Sequence, residues 1–341
     1  MTRADRYRAA GVDLDAADAT KRRIGEAIAS TRTPLARGRL GGFGGMVRVP
    51  DDVPDPVLVM STDGVGTKVL VAIAAAKHDT VGEDLVNHCV NDILVHGARP
   101  VAFLDYIAAA TIEPHTVTQL VEGVARGCRA HEMTLAGGET AQLPDLYHPG
   151  HYDLAGTIVG VVSEGAALHG DRVRVGDVLV GYAASGLHTN GYTLARRILF
   201  DDLGRSVDDD LPDLGTTVGE ALLAVHRSYA GAIRPVLGRV HALAHITGGG
   251  IPGNLARSLP EGCRARVRWG TWPVPPLFRL LQEAGRVEQD EMLRVFNMGV
   301  GMIAVVPSGD VEPVRRAAAD AAVETWIIGE VTGGDGVVVD R

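Results

Sequence analysis

The sequence predicts an α/β (α+β) protein of two domains. Three observations predict it. Apolar runs rich in Val and Ile alternate along the chain with amphipathic helical patterns. The length, 341 residues, exceeds that of one typical domain. The composition is 46% hydrophobic but only 4% aromatic, so the core must be built from Val, Leu, Ile and Ala, with 43 glycines available for tight turns and close backbone approaches.

In order, a helix is expected near residues 16–30, followed by the glycine-dense loop GRLGGFGG at 38–45. VLVMST reads as a strand, residues 66–77 as a helix, and TVGEDLVNHCVNDILVHG as a second helix ending at Gly97 before Arg-Pro. PVAFLDYIAA is a buried strand. PHTVTQLVEGVARGCRAH is an amphipathic helix with Pro114 suited to its first turn. MTLAGGET reads as a short strand running into a glycine turn, and YDLAGTIVGVV as a long strand. The polar, turn-rich stretch at 163–177 is the expected connector, dividing the chain into domains at 1–166 and 172–341. Beyond it come the strand DVLVGYAAS, the turn SGLHTNGY, a helix over 218–237, the strand HALAHIT with a triple-glycine turn, and the strand RARVRW. Helices in PPLFRLLQEAG and QDEMLRVF, the strand GVGMIAVV, a helix over 311–322 and the strand ETWIIGEV complete the chain.

A net charge of −9 argues against general affinity for nucleic acid, which needs a basic face, but allows a small anionic substrate in a local basic pocket. Cys89, Cys128 and Cys263 lack metal-ligand spacing and read as reduced, buried thiols of a cytoplasmic protein. The first residues carry no apolar signal-peptide core, and no apolar run approaches a membrane span.

The residues with chemical potential cluster after strands. In STDGVGTK, Asp63 is either an N-cap or a metal ligand. Gly64, Gly66 and Thr67 would leave backbone N–H groups open at a helix start, where an anion is favoured, and Lys68 adds a positive charge. A carboxylate beside a phosphate site implies a divalent cation between them, hence Mg²⁺. Asp92 lies at the edge of the apolar stripe formed by Leu85, Val86, Cys89, Val90 and Ile93, where a charge is costly unless paired or metal-bound. Glu139, after Gly137 and Gly138 and before Thr140, is a third carboxylate near a strand end, and a capped turn is the plainer alternative. His188 and Asn190 could contact a substrate phosphate or move a proton, and Gly248, Gly249 and Gly250 suit close backbone approach to a phosphate. The other histidines, His148 and His151 among them, read as ordinary surface residues without convergent partners.

Taken in order, AGVDLDA, GRLGGFGG, STDGVGTK, CVNDILVHGARPVAFLDY, AGGETAQLP, SGLHTNGY, HITGGGIPGN and FNMGVGM resemble the phosphoribosylformylglycinamidine cyclo-ligase (aminoimidazole ribonucleotide, AIR, synthetase) family over nearly the whole chain. The resemblance implies a two-domain AIR-synthase-type fold, with N-terminal strands of a homodimer closing a central barrel and a C-terminal α/β domain on the substrate side. It implies ATP and Mg²⁺, with a monovalent cation such as K⁺, and formylglycinamidine ribonucleotide as substrate. ATP would phosphorylate the amide oxygen, the amidine nitrogen would attack the activated carbon, and phosphate would leave as the imidazole ring closes. Carried onto this sequence, Lys68, His188 and Glu139 would be catalytic, and Asp63, Asp92 and Glu139 would be metal ligands. Gly41, Gly42, Gly44, Asp63, Gly64, Gly66, Thr67, Lys68, Asn91, Asp92, Gly137, Gly138 and Thr140 would hold the nucleotide, while His188, Asn190 and Gly248, Gly249 and Gly250 would face the substrate.

The chain departs from the family pattern at Gln142 (usually acidic), Leu187 (usually Pro), Met298 (commonly Cys) and His226-Arg227-Ser228, which stand where a Pro-Thr precedes the Tyr. Selenophosphate synthetases share the carboxylates but carry a reactive Cys near the N-terminus, and no Cys precedes Cys89 here. A nucleotide-binding scaffold without turnover is the alternative of another class.

Overall fold

The computed structural model describes residues 14–38 and 42–340, and the structural statements below concern these. The first sheet contains β1 (Pro56–Gly64), β2 (Arg99–Ala109), β3 (Thr134–Gln142) and β4 (Tyr152–Ser163), in the spatial order β1-β4-β2-β3. β4 runs antiparallel to both β1 and β2, whereas β2 and β3 are parallel. A parallel pair needs a crossover, here helix α4 (Pro114–Ala130). With α1 (Leu14–Ala29), the short α2 (Lys68–Ala74) and α3 (Asp79–Leu94), it completes the first unit. The backbones of α3 and α4 touch through glycine: a Cβ at Gly82 would lie 2.2 Å from the Leu120 oxygen, and one at Gly123 would lie 2.0 Å from the Asp79 oxygen.

Strand pleating separates the two faces of this sheet. Val57, Val59, Ser61 and Asp63 of β1 are partly buried on the inner side, whereas Leu58 and Met60 stay 48% and 66% exposed on the outer side. Leu104 and Tyr106 of β2 extend that exposed apolar surface.

The second sheet contains β5 (Val178–Ala183), β6 (Ala242–His245), β7 (Cys263–Arg268), β8 (Val300–Val306), β9 (Thr325–Gly333) and β10 (Gly336–Asp340), ordered β6-β8-β5-β9-β7-β10. Every residue of β8 is buried, as its unbroken apolar sequence requires. One hydrophobic cluster runs from the helices of the first unit into the second. Cys89, Cys128 and Cys263 are free and buried. No described helix is long and apolar enough to cross a membrane.

Two local expectations need correction. Residues 218–237 do not form one helix: Val218–Leu222 and Ala230–Ile233 are helical, and 224–229 are not. The intervening backbone bonds to side chains of α3 instead. His226 N donates to Asp84 Oδ1 at 2.6 Å, Asn87 Nδ2 donates to the His226 oxygen at 2.8 Å, and Tyr229 N donates to Asn91 Oδ1 at 2.9 Å. Such side-chain bonds compete with the helical ladder. The AGGET segment is not a turn: β3 continues through it to Gln142, because its backbone pairs with β2 from Ala102 to Ala109.

Candidate functional site

Helix α3 is buried almost all round, the first sheet covering one face and the second unit another. On the latter face Asp84, His88 and Asp92 recur every four residues, so their side chains stack along one line. Each end of this line does something different.

At the Asp84 end, Lys68 Nζ lies 2.7 Å from Asp84 Oδ2, both side chains being fully buried. The same ammonium donates to the carbonyls of His188 at 3.1 Å and Ala224 at 2.8 Å. Burial pushes the Lys68 ammonium down and the Asp84 carboxyl up, and their attraction opposes both shifts. Lys68 therefore does not face an open phosphate site as expected; it ties the first unit to the second. Just before it in the chain, Gly66 takes a left-handed φ of 56° with the Thr189 carbonyl 3.7 Å from where a Cβ would stand, and Thr67 Oγ1 lies 3.1 Å from Thr193 Oγ1, so this turn touches the second unit while Gly66 itself stays exposed. Asn91 is also enclosed, its amide holding the Arg227 carbonyl and Tyr229 N.

At the Asp92 end a cleft of about 570 Å³ opens between the two sheets. It brings together Asp63, Asp92 and Asn190, as the sequence suggested, and adds His88, His245 and Thr247. His88 Nε2 lies 3.4 Å from Asp63 Oδ2 and 3.7 Å from Asp92 Oδ2. His245 Nδ1 lies 2.8 Å from Asp92 Oδ1, and Ser61 Oγ donates to Asp92 Oδ2 at 3.3 Å. Burial disfavours the Asp92 charge, yet the hydrogen bond with His245 and the neighbouring His88 hold the carboxyl well below the usual range. Burial also opposes charge on His88, but the hydrogen bond with Asp63 and the charges of Asp92 and Asp63 raise its pKa.

Thr247 and Asn254, on either side of the Gly248–Gly250 turn, line the same cleft. Gly249 and Gly250 have φ of 95° and 60°, and a Cβ on Gly250 would sit 1.9 Å from the Leu293 oxygen. Buried Asn254 pins the turn by donating to the carbonyls of Thr247, Gly248 and Gly250. A Cβ on Gly248 would lie 3.5 Å from Asn190 Oδ1, so the turn and Asn190 adjoin. Asn190 Nδ2 is enclosed and has no hydrogen-bond partner among the described residues.

Buried histidines are the residues that sequence reasoning missed. His88, His226 and His245 are 4%, 0% and 6% exposed, not surface groups. His88 Nδ1 lies 2.6 Å from Thr189 Oγ1, and His226 Nε2 lies 3.1 Å from His245 Nε2. The four-residue spacing of Asp84, His88 and Asp92 was the signal available for His88. His188, expected at the substrate, is fully buried and stacked on His226 with ring centroids 4.0 Å apart. Its Nε2 accepts from Ser185 N, and burial pushes its pKa well down.

Glu139 does not join Asp63 and Asp92. Asp63 and Asp105 both lie opposite Gly156, and Asp105 pairs with Gly138, so these positions share the inner side, while Glu139, one residue on, points to the outer side. Gly137 pairs with Leu104 and Thr140 with Ile107 in the same ladder. Gly42 and Gly44 lie in irregular exposed chain; Gly41 falls outside the described residues. The end of this loop meets β3, where a Cβ on Gly45 would be 2.6 Å from Ala136.

Asp105 is a second missed carboxyl, tucked against Gly138, whose added Cβ would lie 2.0 Å from Asp105 Oδ1. Burial pushes its pKa up to about 7. A folded pKa above the ordinary 3.8 means that ionisation opposes folding. The penalty is absent below about pH 3.8, grows as pH rises, and is complete above pH 7. Asp105→Asn should therefore raise the melting temperature at pH 8 by at least about 1–2 °C, the shift that roughly 1 kcal/mol gives in a chain of this size. The gain should vanish toward pH 4; an equal gain at both pH values would contradict the assignment.

The chain matches two family models: AIR synthase related protein, N-terminal domain, over residues 45–162, and its C-terminal domain over 174–341. It is 49% identical over 329 residues to the phosphoribosylformylglycinamidine cyclo-ligase of Sorangium cellulosum, covering 95% of this chain and 94% of that protein. It is 43% identical over 335 residues to the enzyme of the same name from Pseudothermotoga lettingae, covering 98% and 99%. Its fold is similar to that of thiamine-monophosphate kinase from Stenotrophomonas maltophilia (TM-score 0.68, 18% identity, 93% of this chain and 95% of that one). It is likewise similar to E. coli HypE (TM-score 0.67, 18% identity, 95% and 93%).

Proposed function

The chain belongs to the phosphoribosylformylglycinamidine cyclo-ligase family of AIR synthase related proteins, and from that premise we propose that it closes the imidazole ring of 5-aminoimidazole ribonucleotide in the cleft between its two sheets. The reaction consumes ATP and formylglycinamidine ribonucleotide in purine biosynthesis. The γ-phosphoryl group passes to the amide oxygen, turning a poor leaving group into phosphate. The amidine nitrogen attacks the same carbon, the C–O bond breaks, and the ring closes with release of ADP and phosphate. Such chemistry needs positioning and charge neutralisation more than covalent help from the protein. The observation that carries this reading is the 49% identity along nearly the full chain, with both cleft carboxylates in place.

Asp63 and Asp92 offer the hard oxygen donors that Mg²⁺ prefers, and both line the cleft. Bound there with ATP, Mg²⁺ would neutralise phosphate charge; K⁺ belongs to the same proposal as a monovalent activator. Asn190 Nδ2, an enclosed donor without a partner, is suited to a substrate oxygen or ring nitrogen. The adjoining triple-glycine turn suits an anionic group. Toward the C-terminal end of α3 the cleft is lined by His96, His169 and Arg257, a fitting place for the ribose phosphate. Glu139 and His188 receive no direct part in the chemistry. In this reading residues 1–166 carry the ATP, Mg²⁺ and dimer functions, and 172–341 the substrate side.

The exposed outer face of the first sheet supports a homodimer. Leu58, Met60, Leu104 and Tyr106 form an apolar surface that a second copy would cover. Met60→Asp should give a monomer by light scattering with the far-ultraviolet spectrum kept; an undiminished dimer would remove this part of the proposal. The activity itself is tested by measuring ADP and aminoimidazole ribonucleotide together. One-to-one, substrate-dependent formation is expected, and ATP binding without product would refute it.

A further inference from the structure

We propose that His226 is a positioning residue: it holds the His245 ring, and through that ring the Asp92 carboxylate, in the orientation that receives nucleotide-bound Mg²⁺. The inference rests on the reading of Asp92 as a magnesium ligand and deepens it. His226 is the first of three successive residues, His226-Arg227-Ser228, at which the chain departs from the family pattern. It is fully buried behind the cleft wall, whereas His245 and Asp92 line the cleft. Any effect of His226 on a bound metal or substrate therefore passes through its neighbours.

Three residues on one face of α3 fix His226. Its N–H donates to Asp84 Oδ1 at 2.6 Å, and its carbonyl accepts from Asn87 Nδ2 at 2.8 Å. The Asn91 amide has one orientation, because its Oδ1 accepts from Tyr229 N at 2.9 Å and its Nδ2 donates to the Arg227 carbonyl at 2.8 Å. That Nδ2 also lies 3.2 Å from His226 Nε2, so this ring nitrogen is an acceptor. The ring is held flat against His188, with centroids 4.0 Å apart and an interplanar angle of 19°. His226 Nε2 lies 3.1 Å from His245 Nε2, and with His226 accepting, His245 is the donor. His245 Nδ1 in turn lies 2.8 Å from Asp92 Oδ1.

These contacts close a circuit. It leaves α3 at Asn91, passes through His226 and His245, and returns to α3 at Asp92, the next residue in the chain. The other contacts of the Asp92 carboxylate are longer: Ser61 Oγ lies 3.3 Å and His88 Nε2 3.7 Å from Oδ2. The side chain is 25% exposed, so packing alone does not orient it, and the His245 contact does. Metal-bound carboxylates need such support, and loss of a supporting partner weakens metal binding or activity about 10–100-fold. An apolar residue of similar size at 226 would keep the backbone bonds to α3 but offer His245 no acceptor. A buried N–H without an acceptor is costly, so the His245 ring would turn and release Asp92. Glutamine places an amide oxygen near the Nε2 position and keeps the acceptor.

The test is calorimetric titration of the full-length chain with ADP, once with Mg²⁺ and once with EDTA, for wild type, His226→Leu and His226→Gln. Wild type should bind ADP more tightly with Mg²⁺. His226→Leu should lose about 10-fold in affinity with Mg²⁺ and nothing in EDTA, while His226→Gln stays near wild type in both. A His226→Leu protein with wild-type Mg-ADP affinity would overturn the proposal. So would a loss of equal size in EDTA, or leucine and glutamine variants equally weakened, the results that packing alone predicts. Should the leucine variant not fold, the nitrogen-15 shifts of the wild-type rings decide: Nε2 is expected bare on His226 and protonated on His245, and a proton on His226 Nε2 refutes the arrangement. If Mg²⁺ does not tighten ADP binding to wild type, the magnesium reading of Asp92 fails and this inference with it. If it does and His226→Leu binds alike, the inference alone fails.

Discussion

Replacing Asp63 by Asn is expected to lower substrate-dependent ADP and aminoimidazole ribonucleotide formation by roughly 10²–10³-fold, the scale seen when one pre-organised electrostatic contact to a transition state is lost. The substitution is nearly isosteric and removes only charge. Asp63 sits at the end of β1 with its side chain 35% exposed, and its one contact of note, His88 Nε2 at 3.4 Å, keeps an acceptor in Asn. The sheet pairing of residue 63 with Gly156 uses backbone alone. The fold should therefore survive with at most a small fall in melting temperature from the lost His88 contact, and the main loss should fall on turnover and on the apparent affinity for Mg-ATP. Asp92→Asn should act in the same direction but with a structural component, because its carboxylate also meets His245 and Ser61. An Asp63→Asn protein with wild-type kinetics would remove Asp63 from the phosphate site.

Lys68→Met is expected to act on stability. It leaves Asp84 fully buried without its counter-charge, and breaking such a pair typically costs about 3–5 kcal/mol. By the size scaling of thermal unfolding this is a drop of about 4–7 °C. The carbonyls of His188 and Ala224 would also lose their donor, loosening the contact between the two units. Adding Asp84→Asn to Lys68→Met should restore more than half of the loss, since Asn keeps an acceptor for His226 N and carries no charge. Thermal melts of the two variants check this. A Lys68→Met protein that melts like wild type but fails to turn over ATP would return Lys68 to the phosphate role that the resemblance gave it.

Strand and helix periodicity made most elements legible in the sequence, because each buries a face whose spacing is set by its own backbone. Where a segment's bonds go to distant side chains, that reading failed. Residues 224–229 lie inside a stretch expected to be one helix, but Asp84, Asn87 and Asn91 of α3 capture their backbone groups. The AGGET glycines look like a turn, but the parallel ladder with β2 keeps them extended.

The sequence by itself determined the two-unit α/β organisation, the family, and Asp63, Asp92, Asn190 and the triple-glycine turn as neighbours of one cleft. Only the tertiary structure decided the fates of equally promising residues. Lys68 and His188 are polar groups beside glycine turns, as active-site residues often are, yet docking of the second unit buries one against Asp84 and the other against His226. Conversely, His88 and His245 are 157 positions apart and carry no local motif together, but α3 and β6 bring both against Asp92. The physical reason is that charge and polarity are properties of a residue, whereas burial and convergence belong to the packing of elements distant in the chain.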